Sequence, residues 1–253
     1  MRSTAIMSKQ PAWSNGTDAA SPREPALVAI PFLKEASGSD PVELLSDAQR
    51  EKLVRLATVR ELPARTVVYR AGSPADSVFI IGEGVVKSYR DLASGRRRIA
   101  AFFFARDLFG LAEAGYYVNT VQTITPVRLY DIKFDALTAL FKREPDIELQ
   151  FLCKVVHVLR EVQHHTIIIG RRDAAGRLAM LLRLLQKQSL AQGHRDIALP
   201  MSRSDIANYL GLSPEAVSRA SRRLERQGIV EFHGRGEVRV IDRQRFAAIA
   251  AAA

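Results

Sequence analysis

The segment from Met201 to Leu224 constrains this chain more than any other stretch. Ser202 is placed to cap a short helix, with Asp205 three residues on as a variant of the capping box. Ile206 and Leu210 give that helix one apolar face. Leu210-Gly211-Leu212 predicts a tight turn centred on glycine, which adopts a left-handed backbone at little cost. Ser213 then caps a second helix, with Pro214 at its first position and Gly228 marking its end. Two helices so joined form a helix-turn-helix, whose second helix enters a DNA major groove.

At about 100° per residue, Val217, Ala220 and Leu224 of the second helix fall on one side and can pack on a core. Glu215, Arg219, Arg222 and Arg226 gather opposite, with Ser218 and Arg223 on the flanks. One carboxylate near the helix start and three arginines along the face suit base reading early and phosphate contact later. A solvated surface helix with ordinary charge pairs is the plainer alternative. Helix lengths, turn and charge placement agree on the groove.

Charge follows the same division. The chain of 253 residues carries a formal charge of +10. From Arg171 onward there are 15 Lys and Arg against 8 Asp and Glu, a net of +7. The preceding 170 residues hold 22 against 19, a net of only +3. Positive charge thus accompanies the helix-turn-helix, the electrostatic footprint of a nucleic-acid-binding domain.

The single cysteine, Cys153, excludes an intramolecular disulfide framework and any four-cysteine metal or iron–sulfur site within one chain. It is read as a packed thiol, with a redox-sensitive one as the alternative. The amino terminus lacks the apolar core of about 7–15 residues that a secretory signal needs. No apolar run approaches the roughly 18 residues that span a bilayer. A cytoplasmic protein without membrane contact is the expectation.

Residues 1–40 are rich in Ser, Ala, Gly and Pro and predict a mostly disordered extension, within which Trp13 is free to pack at a place the sequence does not specify. Ser46-Asp47-Ala48-Gln49 opens a capped helix running through Leu53 and Leu56. From Leu62 to Ile132, short apolar runs alternate with Gly72, Gly82, Gly84 and Gly95. The runs are Thr66–Tyr69, Ser77–Ile81, Gly84–Tyr89, Arg98–Phe104, Thr120–Ile124 and Val127–Ile132. Closely spaced strands with glycine turns predict a β-sandwich or jelly roll.

Asp146 to Ile169 has a different period. Leu152, Val155, Leu159, Val162, Thr166 and Ile169 recur at spacings of 3, 4, 3, 4 and 3. That heptad seam fits a parallel two-helix dimer interface, which a helix-turn-helix protein needs to read a two-fold-symmetric site. A buried helix packed on its own chain is the alternative. Gly170 to Asp173 break the seam, and an amphipathic helix follows from about Ala174 to Gln188, with Leu178, Leu181, Leu182 and Leu185 inward. Ile229–Phe232 and Glu237–Ile241 flank His233-Gly234-Arg235-Gly236 as a hairpin, making the domain a winged helix. The Ala-rich end from Asp242 predicts a short, frayed helix.

The fold class is therefore α+β: an N-terminal jelly roll, a long dimerisation helix and a C-terminal winged helix-turn-helix. The divisions are 1–40 (extension), 41–144 (jelly roll), 145–170 (dimerisation helix), 171–245 (winged helix-turn-helix) and 246–253 (tail).

In that order the parts resemble the Crp–Fnr family of bacterial transcription regulators over roughly residues 45–245, with a jelly roll like that of cyclic-nucleotide-binding domains. The specific matches are Ala71 to Lys87, Asp107-Leu108-Phe109-Gly110, and Pro200 to Leu212. Glu215-Ala216-Val217-Ser218-Arg219 is similar to the Glu-x-x-Ser-Arg reading head of the Fnr and FixK branches. The cyclic-AMP receptor branch has arginine where Pro214 stands and glycine where Ser218 stands.

The resemblance implies base reading by Glu215, Ser218 and Arg219 in a palindrome like TTGAT-N4-ATCAA, one half-site per subunit. Each role has its own chemistry. Arg219 can donate a bidentate pair to guanine O6 and N7, Glu215 can accept from a cytosine or adenine amino group, and Ser218 can touch thymine. Arg203, Ser213, Arg222, Arg223 and Arg226 are the expected phosphate contacts. Double-stranded DNA, a second copy of the chain and RNA polymerase are the partners that the resemblance implies.

Cyclic-nucleotide binders of the family place a glutamate directly after Phe-Gly and an arginine a few residues on. Here Leu111 follows Phe109-Gly110, Glu113 is displaced by two, and Tyr116 to Val121 contains no arginine. A buried phosphate without a cation is costly, so no cyclic AMP is expected. One cysteine cannot build the Fnr iron–sulfur cluster. The histidines are His157, His164, His165, His194 and His233, none within the predicted jelly roll. The first three are expected on the surface of the dimer helix, His194 in a loop, and His233 in the wing with phosphate contact conceivable.

The reading is a sequence-specific, homodimeric regulator, an activator by resemblance, working without a cyclic-nucleotide effector. The alternative keeps DNA binding but gates it with haem or another small molecule in the jelly roll. No catalytic triad, paired carboxylates, metal-ligand cluster or phosphate loop points to an enzyme.

Overall fold

The computed structural model describes residues 46–251, apart from 113, 114, 172, 192 and 235. The expectations for residues 1–40, Trp13 and Glu113 lie outside the described residues. Helix α1 (Asp47–Leu56) opens on a complete capping box: the Ser46 hydroxyl accepts from the Gln49 N–H, and the Gln49 side chain accepts from the Ser46 N–H at 2.9 Å. Eight strands follow: β1 (Thr58–Leu62), β2 (Val67–Tyr69), β3 (Ser77–Glu83), β4 (Val86–Asp91), β5 (Arg97–Phe103), β6 (Leu108–Phe109), β7 (Thr120–Thr123) and β8 (Val127–Lys133). They pair antiparallel in two four-stranded sheets, β1-β8-β3-β6 and β2-β7-β4-β5, which is the jelly roll.

Strand β3 is apolar on both faces because both are covered. Phe79 and Ile81 face a core with Phe109, Tyr117, Val121 and Leu129. Val78 lies in a second core with Leu53, Ile132, Leu137, Ile147 and Phe151. That second core joins the sheet to α1, α2 (Phe134–Arg143) and the start of α3 (Pro145–Gly170). Full burial of side chains this size contributes about 1.5–3 kcal/mol each before entropy costs.

Helix α3 bears the heptad seam. Leu152 and Leu159 are 57% and 56% exposed, and Val162, Thr166 and Ile169 are exposed too. Val155 differs, being partly buried against the Phe151 core of its own chain. Cys153 is buried and free.

The C-terminal domain comprises α4 (Ala174–Ala191), β9 (Ile197–Ala198), α5 (Arg203–Leu210), α6 (Pro214–Arg226), β10 (Val230–His233), β11 (Glu237–Val240) and α7 (Arg243–Ala250). Leu178, Leu181, Leu182 and Leu185 of α4 are buried at its centre. The wing is a three-stranded sheet, β10-β11-β9, one strand more than the hairpin expected. The end of the chain is also more ordered than expected. Asp242 caps α7 by accepting the Arg245 N–H at 2.9 Å, and Phe246 and Ala250 are buried. The segment set apart after residue 245 is thus most of a docked helix, its apolar anchors being Phe246 and the spaced alanines.

The joint between α3 and α4 is stitched by two arginines. Arg171 donates to the carbonyls of Ile249 and Ala251 at 3.0 and 2.7 Å. Arg177 donates to the carbonyls of Arg171 and Leu210. The jelly roll itself touches the C-terminal domain, with Tyr89, Ile99 and Phe104 sharing a core with Ile206, Tyr209 and Leu210.

Candidate nucleic-acid interface

The helix-turn-helix forms as its local chemistry dictates. Ser202 accepts the Asp205 N–H at 3.0 Å and donates its hydroxyl to the Asp205 carboxylate at 2.8 Å. Gly211 ends α5 at φ +66°, in the left-handed region where a side chain is strained. Ser213 accepts the Ala216 N–H at 3.2 Å and Pro214 starts α6, where its missing N–H costs nothing. Gly228, just past the end of α6, also has a positive φ.

Helix α6 presents the two faces expected. Val217, Ala220 and Leu224 are buried, joined by Ser221, which satisfies its hydroxyl on the Val217 carbonyl at 3.1 Å. Glu215, Arg219, Arg222, Arg223 and Arg226 are exposed, and Ser218 is half-buried. The Glu215 carboxyl is held below the usual carboxylate range by its own backbone N–H, then the Ser213 hydroxyl and the Arg219 cation. It therefore stays an ionised acceptor at neutral pH. Arg219, Arg222 and Arg226 line one shallow cleft with Glu225. Glu225 also accepts the Phe232 N–H at 3.2 Å, tying the helix to the wing.

The remaining candidates are placed individually. Arg203, at the start of α5, donates to the Ser218 hydroxyl at 2.8 Å. Ser213 is engaged as a cap. Arg223 lies 3.6 Å from Asp173, whose carboxylate accepts the Gly176 N–H at the start of α4. His233 stands on β10 with Nε2 3.2 Å from the Glu231 carboxylate.

The expectation for the side chains of His157 and His164 lies outside the described residues, and His165 departs from it. His165 is not a solvated residue of α3: its ring stacks on Tyr209 of α5 at 4.0 Å and 11°, and its Nε2 lies 2.7 Å from the Tyr209 carbonyl. Phe102 of β5 also packs against Tyr209, its ring 4.9 Å from the Tyr209 ring and tilted by 41°. Burial pushes the His165 pKa down, against the pull of the carbonyl, and the Arg98 charge adds to the depression. A cross-domain ion pair joins Lys87 of β4 to Asp205 of α5, and no sequence spacing announces it. The legible signal was only that Tyr209 is too large and apolar for a solvated helix face.

Inside the jelly roll, Tyr69, Phe79, Phe103, Phe109 and Tyr117 form one ring cluster, with Tyr69 stacked on Tyr117 at 3.7 Å. The Tyr117 hydroxyl donates to the Ser77 carbonyl at 2.8 Å. Gly110 has φ +90°, and a Cβ there would meet the Phe79 ring at 2.9 Å. Among the described residues, no helix is long and apolar enough to cross a membrane.

A jelly roll, a 26-residue helix and a winged helix-turn-helix with a basic exposed face define a DNA-binding regulator built on a cyclic-nucleotide-binding-like domain. Comparison with known proteins agrees. Residues 176–249 match the model of the Crp-like helix-turn-helix domain, and residues 59–144 that of the cyclic nucleotide-binding domain. The chain is 30% identical over 213 residues to the transcriptional activatory protein AadR of Rhodopseudomonas palustris, covering 82% of this chain and 87% of that one. It is 29% identical to the transcriptional activator protein FnrA of Stutzerimonas stutzeri, covering 72% and 76%. Among solved structures, FixK2 from Bradyrhizobium japonicum superposes with a TM-score of 0.72 at 32% identity, covering 78% of this chain and 98% of that one. The chain belongs to the Crp–Fnr family of transcription regulators, in its Fnr/FixK branch.

Proposed function

We propose that this regulator is a homodimeric activator that reads a TTGAT-N4-ATCAA palindrome, using Glu215, Ser218 and Arg219 of each α6, without a small effector. The observation that carries the reading is the placement of Glu215 and Arg219 one turn apart on the exposed face of α6. That turn is fixed from below by buried Val217 and Ala220. Arginine and a carboxylate so spaced meet the acceptor edge of guanine and the amino group of a neighbouring base.

Dimerisation is supported by the apolar stripe of Leu152, Leu159, Val162 and Ile169, exposed along α3. Effector independence is supported by the cluster of aromatic rings packed inside the jelly roll, and by the lack of an arginine from Tyr116 to Val121. Activation through RNA polymerase is supported by the names of AadR and FnrA. Haem and other metal cofactors have no part in this reading.

The test is fluorescence anisotropy of purified, effector-free protein in air, on the palindrome and on a scrambled duplex at fixed salt. Nanomolar binding with a large specific-to-scrambled ratio is expected. Weak and unselective binding would overturn the effector-free reading or the half-site, and adding candidate ligands would then separate those two.

A further inference from the structure

Arg203 belongs to α5, yet its Nη1 donates to the hydroxyl of Ser218 on α6 at 2.8 Å. The same hydroxyl donates to the Pro214 carbonyl one turn back, at 3.0 Å. A serine hydroxyl owns one proton and two lone pairs. The proton is committed to Pro214 and one lone pair to Arg203. What Ser218 has left for a base is one lone pair and its methylene.

We propose that Arg203 is a positioning residue for base recognition: by holding the Ser218 rotor, it makes Ser218 an acceptor and apolar contact rather than a donor. This rests on the reading of α6 as the base-reading helix. A Ser218 so fixed favours a thymine methyl or an amino-bearing base edge over the two acceptors of guanine, N7 and O6. Without Arg203 the hydroxyl can turn and donate, and the preference relaxes. Arg203 thus specifies sequence through Ser218, in addition to whatever its charge contributes against phosphate.

The experiment is binding-site selection from a randomised duplex pool, followed by salt-dependent affinities on the selected duplexes. The proteins are the full chain, Arg203→Ala, Arg203→Lys, Ser218→Ala and the double variant Arg203→Ala/Ser218→Ala. Arg203→Ala and Ser218→Ala are expected to lose selectivity at the same base pair of each half-site, by about fivefold, the worth of one hydrogen bond. The double variant is expected to lose no more selectivity there than either single one. Arg203→Lys should keep the salt slope while losing part of that selectivity. Uniformly weaker binding of Arg203→Ala, with every base preference intact and the salt slope reduced by about one contact, would make Arg203 a phosphate contact only and overturn the proposal. A full chain that selects a different palindrome would count against the proposed half-site alone, because the variants are still compared at that palindrome's own positions. A full chain that selects no sequence would overturn both.

Discussion

Lys87 of the jelly roll and Asp205 of the helix-turn-helix meet at 2.6 Å, with their side chains only 12% and 13% exposed. Asp205 is at once the acceptor of this cross-domain ion pair and the partner of Ser202 in capping α5. The pair therefore fixes the first helix of the DNA-reading unit against the sheet that carries β4 and β5.

Removing one member of a mostly buried pair strands the other charge, which costs more than the pair itself contributes. Lys87→Ala is expected to destabilise the chain by on the order of 3 kcal/mol in urea unfolding. Lys87→Met combined with Asp205→Asn should cost clearly less than the sum of the single changes. A loss under about 0.5 kcal/mol for Lys87→Ala would mean that the two groups are effectively solvated.

The contact of His165 with Tyr209 predicts a pH dependence. Its depressed pKa means that the folded chain holds a neutral imidazole, with the Nε2 proton donated to the Tyr209 carbonyl. As pH falls below about 6.5, the unfolded chain takes up a proton at this residue before the folded chain does. The stability due to His165 is thus complete above that pH and lost as pH falls from there toward the folded pKa. Urea midpoints measured between about pH 7.5 and 5.5 should fall more steeply for the natural chain than for His165→Gln. Equal slopes would assign the dependence to other groups.

How far the sequence foretold this contact depends on distance along the chain. The caps at Ser46, Ser202 and Ser213, the left-handed Gly211 and the two faces of α6 are local, so spacing alone reveals them. Lys87 and Asp205 are 118 positions apart, and no local period links them. The same holds for His165 and Tyr209, whose pairing depends on how α5 packs against α3. Strand β1 is not legible in the sequence because Thr58–Leu62 is an edge strand with mixed polarity, and β6 and β9 are only two residues long. Helix α2 carries no local start signal, because its cap, Lys133, has no capping side chain to announce it.

The seam on α3 predicts the assembly state. Leu159→Glu is expected to turn the chain into a monomer in sedimentation, because a carboxylate would face its own copy across a parallel pair. Binding to a full palindrome should then drop on the order of a hundredfold, as the linkage between half-sites is lost, while the fold is retained. A variant that remains dimeric would place the interface elsewhere.

The arginines of α6 should divide into two kinds. Arg219→Ala is expected to cost about 1–3 kcal/mol on the palindrome and to relax one guanine preference. Arg226→Ala, near the far end of the helix, should weaken all duplexes by a similar factor and reduce the salt slope by about one. Anisotropy titrations at several salt concentrations separate the two patterns, and equal losses on specific and scrambled duplexes would make Arg219 a phosphate contact.

Arg171 and Arg177 tie the α3–α4 joint into the ends of α7 and α5 through four hydrogen bonds. For two copies joined along α3, as proposed, each reading head would then be the far end of a braced arm. In the proposed dimer the gap between half-sites would be a length set by the protein, a ruler against which DNA is measured.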